Sequence, residues 1–276
     1  MNILSDKAAS KKIIKKAFIG AAVLFTAAAA ASFPLKTVYY EIPCGKIKEH
    51  IRIVQISDLH SERYGENMKT LINAVDEAAP DIVVLTGDIY DDVYPRENAA
   101  ELLKSIGGRY LCYYTAGNHE FRTPKWSEYK KEAQSFGVTV LEGENVTVKG
   151  ITLCGSAAAA DRSFNFDDAT KKCAEKAPGD GYNILLCHFP EDINYYRSFE
   201  KFDLILCGHA HGGHWRLPFM QNGLYAPSQG IFPKYSGGRF DFDGCTMIVS
   251  RGLARTRNII PRILNNPELV VIDLVN

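Results

Sequence analysis

Five short apolar runs, each ending in polar residues, constrain the fold of this chain more than any other feature. They are IRIVQIS (51–57), DIVVLTG (81–87), RYLCYYTAG (109–117), YNILLCH (182–188) and FDLILCGH (202–209). A strand with one wet face alternates polar and apolar side chains, whereas a strand covered on both faces reads as a nearly continuous apolar run. Helix-like segments fall between the runs, over 66–79, 97–106, 124–136, 167–176 and 191–199. This alternation predicts an α/β architecture whose sheet is covered by helices on both sides. Further strands are predicted over 37–42, 137–143, 146–155, 245–250 and 268–275. Two stretches, 156–168 and 216–244, carry no such pattern. The second is rich in Gly, Pro and aromatic residues, and a loop that long is either functional or a surface excursion such as an irregular hairpin.

The first 36 residues read differently. Lys7, Lys11, Lys12, Lys15 and Lys16 precede AFIGAAVLFTAAAAASFPL (17–35), which has no charge. About 20 apolar residues span a bilayer, so this stretch is just long enough. Basic residues before it and few immediately after predict a cytoplasmic N-terminus with the rest of the chain outside. A cleaved signal peptide competes, because small residues in an A-x-A pattern stand around Ala29 to Ala31. We favour the uncleaved anchor: a single-pass cell-membrane protein with residues 37–276 as one extracytoplasmic catalytic domain. If cleavage occurs near residue 31, the domain is secreted.

Over the whole chain, 32 basic residues balance 32 acidic ones, and beyond residue 16 the balance is 27 to 31. No electrostatic footprint for nucleic acid follows, so no nucleic-acid partner is expected. Seven cysteines without a C-x-x-C pair argue against both a cysteine-ligated zinc and a disulfide framework. Cys112, Cys154, Cys187 and Cys207 sit in apolar runs, as small buried hydrophobes do. Free thiols are mildly unexpected in an exported domain.

The strand ends carry the chemistry. QISDLH supplies Asp58 and His60, LTGDIY supplies Asp88, TAGNHE supplies Asn118, His119 and Glu120, LLCHFP supplies His188, and CGHAHGGH supplies His209, His211 and His214. In open α/β sheets the carboxyl ends of the strands converge on one crevice. Singly, each residue has a bland reading: Asp88 could cap a helix, Asn118 could serve a turn, and Gly87, Gly117 and Gly208 could merely supply turn conformations. Five strand ends acquiring such residues together is a poor coincidence. Imidazole, carboxylate and amide oxygen suit Mn²⁺, Fe²⁺ or Zn²⁺. Seven ligands exceed what one ion needs but suit two, and a two-metal clamp drives in-line displacement at phosphorus with a bridging hydroxide. The i, i+2 spacings of Asp58 with His60 and His209 with His211 would turn each pair to one side of a strand, towards one centre. His214, Glu120 and His50 have no required part and are read as structural.

The ordered set D-x-H, G-D, G-N-H-E, isolated His and G-H-A-H resembles the calcineurin-like metallophosphoesterase superfamily, from about residue 50 to the C-terminus. That resemblance implies a four-layer αββα sandwich instead of the simple doubly wound sheet. It implies that Asp58, His60 and His211 bind one divalent ion and Asn118, His188 and His209 a second, with Asp88 bridging; manganese is favoured over zinc or iron. It implies that His119, beside Asn118, acts as general acid near the leaving oxygen. Glu120 stands where many members carry Asp. GHAHGGHWRLPF and SRGLARTRNIIPRILNNPELVVIDL are similar to a bacterial membrane-anchored subgroup, some members of which cleave phosphodiester or pyrophosphate bonds, including that of UDP-diacylglucosamine. His214 stands where that subgroup commonly has Gln. The expected activity is therefore hydrolysis of a phosphodiester or pyrophosphate, with a lipid-linked phosphate ester as candidate substrate. A phosphomonoesterase or nuclease of the same fold, or a catalytically silent metal-binding scaffold, are the alternatives.

Overall fold

The five apolar runs become central strands of two six-stranded sheets, as seen in a computed structural model that describes Gly20 and residues 34–157, 166–217, 220, 222–255 and 260–276. In chain order the first strands are β1 (Lys36–Pro43), β2 (Ile51–Ile56), β3 (Ile82–Thr86), β4 (Leu111–Thr115), β5 (Thr139–Val140), β6 (Asn145–Val148), β7 (Ile151–Gly155), β8 (Tyr182–Leu186) and β9 (Leu204–Cys207). After them come β10 (Tyr225–Ala226), β11 (Gly230–Ile231), β12 (Gly238–Phe242), β13 (Cys245–Val249) and β14 (Glu268–Val275). One sheet has the order β1-β14-β2-β3-β4-β5, the other β12-β13-β9-β8-β7-β6. Within the first, β2 to β5 are parallel and β14 runs antiparallel to β2. Within the second, β7, β8, β9 and β13 are parallel, and antiparallel β6 and β12 form its edges.

Three apolar layers explain why these strands lack alternation. Between the sheets, Ile53, Ile82 and Val84 belong to one core with Ile184, Leu186, Leu204 and Leu206. Their neighbours along the chain, Val54, Ile56, Val83 and Leu85, face outward, because successive side chains of a strand point to opposite faces. There they meet Leu71 and Val75 of the helix Lys69–Ala78 and Leu102, Leu103 and Ile106 of the helix Glu97–Gly107. On the far side, Leu185, Cys187, Ile205 and Cys207 pack with Cys173, Ala174, Ile193 and Tyr196 from the helices Phe166–Lys176 and Ile193–Arg197. The architecture is thus helix, sheet, sheet, helix. All seven cysteines are free thiols, and six are buried.

Local differences from the sequence reading have physical causes. The predicted helix 191–199 is a 3-10 turn, Pro190–Asp192, followed by the helix Ile193–Arg197. The predicted strand 137–143 shrinks to β5, since Gly137 and Gly143 at its ends adopt φ of 91° and 113°. A short helix, Asn118–Arg122, starts where the apolar run of β4 ends. Within 216–244 the structure forms the β10–β11 hairpin and the edge strand β12, so the segment is built rather than a featureless loop. The candidate anchor, through residue 33, lies outside the described residues apart from Gly20. Among the described residues, no helix is long and apolar enough to cross a membrane.

Leu206 is fully buried between the sheets. Leu206→Ala should lower unfolding free energy by about 2–5 kcal/mol, the range for a leucine deleted from a packed core. Chemical denaturation measures this, and a loss below about 1 kcal/mol would contradict the two-sheet core.

Candidate metal centre

The parallel strands of both sheets point their carboxyl ends to one side, and every predicted site residue follows such an end. Asp58 and His60 follow β2, Asp88 follows β3, Asn118 and His119 follow β4, His188 follows β8, and His209 and His211 follow β9. A cavity of about 380 Å³ at the opposite end, lined among others by Lys46, Asn183, Arg197 and Phe202, contains none of them.

Two triads form, joined at their middle. Donor atoms of Asp58, His60 and His211 lie within 4.8 Å of one another, as do those of Asp88, His188 and His209. A third group of the same tightness, His60, Asp88 and His119, links them. Oδ2 of Asp88 is 3.1 Å from His188 Nε2 and 3.6 Å from His60 Nε2, so this carboxylate stands between the triads. Of the predicted ligands, Asp58, Asp88, Asn118 and His188 are at most 2% exposed, and the remaining histidines at most 6%.

The donor set fits divalent cations. His60 Nε2 and Asn118 Oδ1 are buried without hydrogen-bond partners, and leaving them so is costly unless something accepts their lone pairs; the His211 nitrogen nearest Asp58 is Nε2, 3.8 Å from its Oδ1. The opposite ring nitrogens are occupied. His60 Nδ1 meets Asp91 Oδ2 at 2.8 Å, His188 Nδ1 meets the Thr86 carbonyl at 2.8 Å, and His209 Nε2 meets Ser228 Oγ at 3.0 Å. Such partners fix the ring and leave the other nitrogen as the ligand atom. His119 is partly exposed; its Nδ1 faces Asp92 and Asp91, and its Nε2 is 3.3 Å from an Arg122 nitrogen.

The backbones of the candidate ligands are bent in a way the strand pattern does not predict. Asp58, His60, Asp88, His209 and His211 all have φ between 46° and 67°. A left-handed non-glycine residue costs about 1–2 kcal/mol. Hydrogen bonds between the loops hold these conformations: Asp58 N donates to the Gly87 carbonyl, His60 N to that of Asp88, and Ala254 N to that of Asp58. The expectation that i, i+2 spacing on a strand turns His209 and His211 to one side fails, because both lie beyond β9. Instead they enter different triads, separated by this turned backbone.

Glu120 is the residue that sequence reasoning undervalued. Its buried carboxylate accepts hydrogen bonds from the backbone N–H of Asp88 (2.8 Å), Ile89 (2.7 Å), Tyr90 (3.0 Å) and Gly117 (2.8 Å), and from the Tyr114 hydroxyl (2.6 Å). It thereby ties the β3 loop to the β4 loop. The signal was present in G-N-H-E, a carboxylate three residues into a helix start. The glycines do more than turn the chain. A Cβ on Gly208 would collide with Ser57 Oγ and Asp58 Oδ2, and one on Gly117 with Asp88 Oδ1. His214 packs beside His211 with ring centroids 5.5 Å apart but joins neither triad, and His50 pairs with Asp273 away from the site.

Burial disfavours charge on His60, His188, His209 and His211, and the carboxylates decide which are overridden. His188 is pushed up to about 10, its burial being outweighed by Asp88 and Asp58. His60 also rises, since Asp91 and Asp88 outweigh its burial. His209 and His211 are held well below the usual imidazole value by burial. Asp88 is kept well below the usual carboxylate range because His188 and His119 outweigh its desolvation, whereas burial raises Asp58.

Two buried histidine and carboxylate triads at the meeting of two sheets define the class of a metal-dependent hydrolase. The calcineurin-like phosphoesterase pattern matches residues 51–213, and the chain belongs to that family of metal-dependent phosphoester hydrolases. It is similar to the uncharacterized metallophosphoesterase YkuE of Bacillus subtilis, with 30% identity over 235 residues, 81% of this chain and 78% of that protein. It is 24% identical to the phosphodiesterase YaeI of Escherichia coli over 237 residues, 81% of this chain and 82% of that one. A transmembrane protein with a metallophosphoesterase domain from Danio rerio is 28% identical over 72% of this chain, which spans about half (51%) of that protein. A crystal structure with a TM-score of 0.51 and 12% identity, covering 72% of this chain and 90% of its own, shares the fold.

Glu120→Gln replaces one accepting oxygen with a donor. It should cost about 2–3 kcal/mol of stability, the scale of hydrogen bonds to a charged group, and weaken metal binding; unchanged denaturation and affinity would show that Glu120 does not brace the loops. Metal ligation requires neutral imidazole, and His188 holds its proton below a pH of about 10. Loading divalent metal near neutral pH should therefore release at least one proton, and affinity should fall about tenfold per unit of decreasing pH. Calorimetry in buffers of different ionisation enthalpy measures the release, and a pH-independent affinity would contradict it.

Proposed function

We propose that this protein hydrolyses phosphodiester or pyrophosphate bonds with two divalent ions, manganese first and zinc or iron as substitutes. The observation that carries this reading is the pair of triads linked through Asp88, with His60 and Asn118 presenting unpartnered buried donor atoms. In it, Asp58, His60 and His211 hold one ion, Asn118, His188 and His209 hold the other, and Asp88 lies between them. When bound, the metals supply Lewis-acid stabilisation of the phosphoryl oxygens and a water ionised near neutral pH.

The remaining chemistry belongs to the chain. His119 sits at the rim of the triads, its ring edge-on to His60 at 4.4 Å between centroids. Asp91 and Asp92 face Nδ1 and orient the ring, so Nε2 is the nitrogen left for the departing oxygen. Asp91 serves twice, because its Oδ2 also orients His60. Arg122, next to His119 Nε2, adds a fixed positive charge where leaving-group charge develops.

We further propose that residues 37–276 form the catalytic unit, that residues 1–36 tether it to the membrane with the catalytic unit outside, and that the substrate is lipid-linked, of the UDP-diacylglucosamine kind or another amphipathic phosphoester. The uncharged stretch 17–35 supports the tether. The E. coli relative named a phosphodiesterase supports a diester over a monoester.

Chelation should abolish hydrolysis of a chromogenic phosphodiester, and added Mn²⁺ should restore it. Asp88→Asn should abolish turnover and reduce bound metal below two ions per chain by elemental analysis. His119→Asn should lower kcat by about 10²–10⁴-fold, the contribution of a positioned general acid, with metal content unchanged. A His119→Asn enzyme of full activity would remove His119 from the mechanism, and an active metal-free enzyme would overturn the whole reading.

A further inference from the structure

Among the described residues nine large apolar side chains are exposed, and seven of them lie on the loops and the β10–β11 hairpin at the carboxyl end of the sheets, where the metal centre is. The exceptions are Tyr39 in edge strand β1 and Leu111 at the opposite end of β4. Scattered exposure of apolar residues is ordinary, whereas concentration at one functional end marks a contact surface.

Each part of that rim is joined by hydrogen bonds to a different candidate ligand. The N–H groups of Val93 and Tyr94 donate to Asp91 Oδ1, and Asp91 Oδ2 holds His60. Ser228, in the turn of the β10–β11 hairpin, reaches His209, and the chain leaving that hairpin presents Ile231 and Phe232, 69% and 72% exposed. Leu264, 53% exposed, precedes Asn265, whose side-chain amide donates to the His211 and His214 carbonyls. The hairpin is rigidly built: Leu224 N donates to Trp215 O, Phe232 N donates to Leu224 O, and the Gln229 amide exchanges hydrogen bonds with the Tyr235 backbone. Exposed Lys234 stands two residues beyond Phe232.

Where the chain enters the fold indicates what this surface meets. Lys36 N donates to the Pro267 carbonyl, and Asn266 donates to that of Pro34. Because β1 is parallel to β14 and β14 antiparallel to β2, Pro34 lies at the carboxyl end of β2, the metal end. The uncharged stretch from residue 17 therefore joins the fold on the same end as the exposed apolar side chains.

We infer that this end is a bilayer-contact surface, in which Ile231, Phe232 and their apolar neighbours enter the headgroup region and set the metal centre against phosphoesters at the membrane surface. Lys234 beside them suits anionic headgroups. Only the last step, access to membrane phosphoesters, rests on the proposed phosphodiesterase reading. The contact itself rests on the surface and on the tether reading of the uncharged stretch that joins the fold beside it.

The test uses the full-length chain and its Ile231→Ser, Phe232→Ser double variant, with vesicles of phosphatidylcholine and phosphatidylglycerol. Vesicles should slow amide hydrogen exchange over 224–235 by about tenfold in the parent and leave the variant unprotected, while hydrolysis of a water-soluble diester stays within about twofold between the two. Equal exchange with and without vesicles, in protein that still floats with them, would overturn the inference. Protection by a short-chain diester dispersed as monomers would overturn it in favour of a site for the substrate's own acyl chain. Protection that follows protein concentration without lipid would overturn it in favour of self-association. Loss of soluble-diester activity in both proteins, with vesicle protection intact, would instead strike the phosphodiesterase reading and leave the surface standing.

Discussion

The structure turns on the Asp88 carboxylate, placed between two histidine triads and held there by its neighbours' backbones. A buried carboxylate is tolerable only where positive charge or strong donors compensate it. Here His188 at 3.1 Å and His60 at 3.6 Å face one oxygen, while the His119 N–H donates to the other at 2.9 Å. Glu120 then fixes the position of the loop, gathering the N–H groups of Asp88, Ile89 and Tyr90 onto one carboxylate. Two acids with opposite tasks thus lie in one small volume: one faces the centre, and the other braces the backbone that carries it.

The scaffold is organised to support that strain. Five of the seven predicted ligands occupy left-handed backbone, which an isolated loop would not maintain. They persist because the loops continue the hydrogen-bonding of the sheets beyond the strand ends, Asp58 to Gly87, His60 to Asp88 and Ser61 to Ile89. Gly208 lets the loops of the two sheets approach until backbone touches the Asp58 carboxylate, and Gly117 does the same between the β3 and β4 loops at Asp88. The helix layers and the core between the sheets therefore serve the site by fixing strand ends that would otherwise splay.

Much of this was legible in the chain, for reasons that can be traced to residues. The runs around Ile53, Val84 and Leu206 lack alternation because both their faces are covered, and that property is local. The polar groups that follow them were legible for the same reason, since a strand end fixes where the next residues go. Glu120 was harder to read, because its role depends on N–H groups some 30 residues earlier in the chain. The edge strand β12 was missed because GRFDF alternates with a glycine start inside a loop-like composition.

By itself, then, the sequence determined the central strands, the flanking helices, the identity of the polar residues at the strand ends and the family to which they belong. The run pattern alone did not decide that these strands form two facing sheets, because a strand buried on both faces is equally satisfied by helices or by a second sheet; the family resemblance implied the sandwich, and the tertiary structure set which strands go into each sheet. The family resemblance divided His209 from His211 between two ions, but only the structure shows how, since left-handed backbone and not strand alternation directs those side chains. The tertiary structure also gathered exposed apolar residues from distant loops at the end where the chain enters, a coincidence of three-dimensional position that no local pattern encodes.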